Sequence, residues 1–152
     1  MIRPRFVTAT LIGFGTLLIS AQLFAQADAI ENRQKAMKSN SNNAKAIKAA
    51  VESKDYAAVE LKAKDIMGTA EKIPSLFPKG STVGKTKAKP EIWEKPDDFS
   101  KAAKNLSKAA SELANAAKAG DEAAVTAKVK TLGDACASCH KAFRAEKYSE
   151  KN

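Results

Sequence analysis

Hydrophobic positions recur every three or four residues in four stretches of the chain, the period of helices that each bury one face. In the first, from Ala29 to about Ala50, the apolar side carries Ile30, Met37, Ala44, Ile47 and Val51, with Asp28 placed to cap the start. A second stretch steps through Tyr56, Val59, Ala63, Ile66, Ala70 and Ile73 while Lys62, Lys64, Asp65 and Lys72 take the other faces, and Pro74 ends it. From Pro74 to Pro96 the period is lost. Pro78, Gly80, Gly84 and Pro90 interrupt a basic run through Lys85, Lys87 and Lys89, which predicts a long loop. A third helix starts near Asp97 and buries Phe99, Ala103, Leu106, Ala110, Leu113 and Ala117 before Gly120 stops it. The fourth begins at Asp121 and sets Val125, Val129, Leu132, Cys136, Cys139 and Phe143 on one stripe. Four such helices with two short connections predict an all-α, antiparallel up-down-up-down four-helix bundle with a long loop between helices 2 and 3. The many alanines on the stripes let helices approach closely or leave room for something flat between them.

The amino-terminal segment changes the domain boundary. Arg3 and Arg5 precede an uncharged run from Phe6 to Phe24, followed by small residues at Ala25, Ala27 and Ala29, the pattern of a secretory signal peptide. Residues 1–25 are therefore expected to be removed and residues 26–152 to form the domain. The competing reading, an uncleaved membrane anchor, is weakened by Gly13, Gly15, Ser20 and Gln22 within the run. Export would place the protein in the periplasm, an oxidising compartment where two thiols become a disulfide or are covalently occupied. Losing Arg3 and Arg5 from 26 basic residues against 17 acidic ones leaves a net charge of +7. The lysines are spread at helical spacing among acids, which describes a solvated surface rather than a nucleic-acid face.

Two cysteines and one histidine in 152 residues exclude zinc ribbons, Cys2His2 fingers and multi-disulfide scaffolds. All three sit in Cys136-Ala137-Ser138-Cys139-His140, the Cys-x-x-Cys-His pattern of c-type haem attachment. On a helix these positions share one face, so two thiols can form thioethers to the haem vinyl groups while the adjacent imidazole reaches the iron. The competing readings are a redox pair, which wants a βαβ context; a zinc fragment, which lacks ligands; and an inert disulfide beside an unrelated histidine.

With that motif near the carboxyl terminus, with Arg33-Gln34-x-x-Met37-Lys38 in the first helix and Lys89-Pro90-Glu91-Ile92-Trp93 before the third, the chain resembles the cytochrome c′ family, the class II c-type cytochromes, including its cytochrome c556-like branch. The resemblance implies a four-helix bundle around one covalently attached haem c, with His140 as proximal iron ligand and the first helix over the distal face. It implies that Arg33 and Gln34 border the haem edge and propionates, that Met37 occupies the distal position, and that Arg144 lies beside the proximal imidazole. Arg144 is equally readable as a solvated cation. Trp93 and Phe143 suit the pocket wall, and also suit an ordinary core.

Met37 decides the mechanism. Iron held between His140 and Met37 favours electron transfer, whereas an open sixth position favours binding NO or CO. No second histidine competes, and Ser39, Asn40 and Ser41 are small and polar, closer to the low-spin branch, although that branch often has glycine where Ser41 stands. The resulting expectation is a periplasmic monohaem electron carrier, not an enzyme, docking on redox partners with acidic surfaces; the alternative is a five-coordinate gas-binding cytochrome c′. No nucleic acid is expected, and membrane attachment only if the amino-terminal segment persists. Lysines on the outward faces of the first two helices predict a monomer or weak homodimer.

Overall fold

The computed structural model describes residues 16–82 and 84–148. Its helices are α1 (Thr16–Glu52), α2 (Tyr56–Lys72), the single turn α3 (Glu91–Glu94), α4 (Pro96–Lys118) and α5 (Glu122–Phe143), with a 3₁₀ turn at Ile73–Leu76. Among the described residues there are no strands, and the one β feature is an isolated bridge between Ala88 and Arg144. The bundle is formed by α1, α2, α4 and α5, running up, down, up and down.

Two aspartates open helices. The carboxylate of Asp55 accepts from the Ala58 N–H at 3.0 Å, and that of Asp121 from the Ala124 N–H at 2.9 Å. The turns before them need left-handed backbone, which Lys54 takes at φ 57° and Gly120 at φ 69°. Both turns lie at the same end of the bundle, where Lys54 Nζ meets Glu122 Oε2 at 2.9 Å. That exposed pair adds little stability; it joins the turn after α1 to the start of α5.

The core lies between α2, α4 and the first half of α5. Val59, Ala63 and Ala70 of α2 face Ala110 and Leu113 of α4, with Val125 of α5 against them, all fully buried. Small side chains at these crossings let α2 pack extensively against α4, and α4 against α5. Contact between α1 and α2 is also extensive, through Ile47 and Ala50. By contrast α1 and α5 scarcely touch, and it is along this seam that the bundle opens.

Three expectations need correction. Asp28 does not cap α1, because the helix already runs from Thr16 and Asp28 is an exposed residue inside it. A residue that favours caps does not stop a helix when no Gly or Pro precedes it, and here 16–28 contains neither. Ala44, expected inside, is exposed, since the stripe of α1 drifts toward Asn40 and Ile47. The segment between Pro74 and Pro96 is not wholly irregular; it holds the 3₁₀ turn and α3, and α4 starts at Pro96 itself. The expected signal peptide lies in part outside the described residues, and the expected cleavage after Ala25 falls within α1. No described helix is long and apolar enough to cross a membrane.

Candidate cofactor site

At the end of the bundle away from the Lys54 turn, α1 and α5 enclose a cleft of about 290 Å³. It brings together Arg33, Gln34 and Met37 of α1 with Cys139, His140 and Phe143 of α5 and with Arg144 just beyond. Seven of the nine residues proposed from the sequence thus line one space. Cys136 is one turn further into α5, half-buried against the core. Trp93 stands one layer back: its indole N–H donates to the carbonyls of Phe77 at 3.1 Å and Pro78 at 3.0 Å, and its ring packs on Phe77, which does line the cleft.

Cys136, Cys139 and His140 lie on one face of the last two turns of α5, and Cys139 and His140 line the cleft, His140 remaining exposed. The cysteines are free thiols, half-buried. Burial raises both thiol pKa values, and Cys139 is raised further by Cys136. His140 is held below its usual pKa by partial burial and then by the nearby charge of Arg144, which favours the neutral imidazole, the form that can ligate a metal. Its carbonyl accepts the Arg144 N–H at 2.9 Å, ending the helix there.

Arg33 is the most constrained charge of the site. It is 3% exposed, and its guanidinium donates to Ser81 Oγ at 3.0 Å, the Ser81 carbonyl at 2.9 Å and Thr86 Oγ1 at 2.7 Å, over the Phe77 ring at 4.8 Å. None of these partners is anionic, and among the described residues no carboxylate pairs with it. Burial lowers its pKa to about 10. A buried cation without an anion is unfavourable unless a ligand supplies the negative charge. Gln34 Nε2 donates to the Lys85 carbonyl at 2.9 Å, so both residues hold the 81–86 loop against α1.

The same loop is bound to the far side of the cleft. The Lys89 N–H donates to the Phe143 carbonyl at 3.0 Å, the Ala145 N–H to the Lys87 carbonyl at 2.8 Å, and Lys89 Nζ to the Lys141 carbonyl at 3.0 Å. Lys85 and Lys87 lie over the ring of Tyr148 at 5.2 and 4.9 Å. Seven lining residues were not assigned to the site from the sequence: Phe77, Thr86, Lys87, Ala88, Ile92, Phe99 and Tyr148. Ile92 comes from α3 and Phe99, expected only as core, from α4; the others come from loop and tail, where no period marks an inward face, and only the aromatic character of Phe77 and Tyr148 hinted at a wall. Two thiols and an imidazole on α5, a thioether on α1 and a buried cation with no carboxylate partner among the described residues form a donor set that fits an iron-bearing cofactor with an acidic group.

The family model described as cytochrome C′ matches residues 28–144. A cytochrome c′ of Rhodospirillum rubrum is 37% identical over 92% of this chain and 97% of its own length. A cytochrome c-556 of Agrobacterium fabrum is 37% identical over 93% of this chain and 95% of its own. The solved structure of cytochrome c′ from Thermochromatium tepidum superposes with a TM-score of 0.74 at 31% identity, covering 80% of this chain and 97% of that one.

Proposed function

Because the chain belongs to the cytochrome c′ family and so carries a covalently bound haem c, we propose that it is an exported one-electron carrier of the bacterial cell envelope, whose iron would be held by His140 and Met37. The observation that supports this most is that Met37 and His140 line one cleft from opposite helices. The bound haem supplies the Fe(III)/Fe(II) couple. In this reading Cys136 and Cys139 would hold the group covalently through their sulfur atoms. His140 offers its neutral nitrogen from the α5 wall, and Met37 a soft thioether that favours the reduced metal. Arg33 pairs with a propionate, and Phe77, Phe99 and Phe143 exclude water. Arg144 at the cleft, with exposed Lys85, Lys141 and Lys147 on the segments that carry its walls, suits a redox partner with an acidic surface. No substrate turnover is proposed.

Visible spectra of the oxidised and reduced protein test the reading. The wild type is expected to be low-spin, and Met37→Ala high-spin and quick to bind CO. A wild type already high-spin at neutral pH, or binding CO as fast as the variant, overturns Met37 ligation and leaves the five-coordinate NO- or CO-binding function in its place.

A further inference from the structure

Among the described residues, Asn40 alone has buried side-chain polar atoms, Nδ2 and Oδ1, without a hydrogen-bond partner. The residue is 9% exposed. Leaving a buried amide unpaired is unfavourable, and buried polar groups that lack a protein partner are characteristically paired with ordered water.

Its position relates it to the cofactor site. At 3.6 residues per turn, Asn40 projects within about 20° of Arg33 on the α1 surface, on the side that forms the cleft. Helical side chains lean toward the amino-terminal turn, which for Asn40 is the turn carrying Met37. Met37 lines the cleft from α1 and Cys139 from α5, and Asn40, one turn beyond Met37, is buried behind the residues that line it.

We propose that Asn40 holds ordered water on the α1 wall beside Met37, and that this polar group is a redox-tuning element that stabilises the ferric state. The amide offers both a donor and an acceptor, and water is the small molecule that satisfies either. A reorientable dipole near the metal lowers the energy of the more highly charged Fe(III) form, whereas an apolar wall favours Fe(II). The inference rests on the reading that the haem occupies this cleft against His140; it does not require Met37 to be a ligand.

The test compares the shape-matched variants Asn40→Val and Asn40→Thr in the haem-loaded protein, which differ from each other by one hydroxyl. At a fixed ambient potential Asn40→Val is expected to raise the ferrous-to-ferric ratio by roughly 2- to 13-fold, the range of one net hydrogen bond, with Asn40→Thr within about twofold of wild type. A crystal structure of the loaded wild type is expected to show water within hydrogen-bond distance of Asn40 Nδ2 or Oδ1. Equal ratios for the Val and Thr variants, or an amide bonded directly to protein or haem with no water, overturn the proposal. Should Asn40→Val fail to mature, Asn40→Ala against Asn40→Ser repeats the comparison. The two readings fail separately: a high-spin wild type removes Met37 ligation and leaves the Val–Thr difference standing, while a low-spin wild type with no such difference removes the role of Asn40 alone.

Discussion

Replacing Arg33 with Met removes a buried charge and three hydrogen bonds at once, and the balance reports whether an anion sits beside it. A guanidinium pKa lowered by burial to about 10 corresponds to about 3 kcal/mol of unfavourable burial of the charged form, at about 1.4 kcal/mol per unit. An uncharged side chain relieves that penalty. Against it, the variant strands the carbonyl of fully buried Ser81, worth about 1–3 kcal/mol, and loses the contact with Phe77, worth about 0.5–2 kcal/mol. The two hydroxyls are not stranded, because Ser81 Oγ still donates to the Pro78 carbonyl at 2.8 Å and Thr86 Oγ1 still accepts from the Ala88 N–H at 3.1 Å. With no anion present, gain and loss therefore nearly cancel and stability moves by no more than about 1–2 kcal/mol. With a haem carboxylate paired to Arg33, the penalty is already offset in the wild type, and the variant loses the about 3–5 kcal/mol of a broken buried pair. Urea unfolding of the haem-loaded proteins, followed by far-ultraviolet circular dichroism, measures the difference. The expected result is a midpoint lowered in proportion to the larger figure with an unchanged slope. A change below about 1 kcal/mol would refute the pairing.

Two further outcomes are expected. Leu113→Ala, at a fully buried position where α4 meets the other helices, lowers unfolding stability by about 2–5 kcal/mol in the same urea assay while leaving the visible spectrum unchanged, since the residue does not line the cleft. Sedimentation is expected to show a monomer, or a weak dimer that tightens with salt, because exposed Lys35, Lys38, Lys45 and Lys48 crowd one sign of charge on α1; a stable dimer at nanomolar concentration and low salt would contradict it.

Helices α2, α4 and α5 were legible in the sequence because each has a complete apolar stripe and a local signal at its ends: Pro74, Pro96, Gly120 and Asp121 act within one turn of themselves. The start of α1 was not legible from Asp28, since capping preference is permissive and nothing upstream forbids helix. The carboxyl-terminal half of the site could be read directly, because Cys136, Cys139 and His140 are held by one helix and spacing fixes their face. The other wall depends on contacts with no local trace. Arg33 reaches Ser81 across 48 residues, and Lys89 is fastened to Lys141 across 52. For the same reason Trp93 could be placed in the neighbourhood but not one layer behind Phe77, a distinction made only by the indole N–H finding two loop carbonyls.

The scarcity of direct contact between α1 and α5 bears on how the protein is assembled. The carboxyl-terminal half of α1 is anchored on α2 through Ile47 and Ala50, but the half that carries Arg33 and Met37 has only a loop strap to hold it to the opposite wall. Three helices can therefore close around their alanine-rich centre while the fourth remains hinged at its base. With α1 swung away, the α5 wall that carries Cys139 and His140 is uncovered.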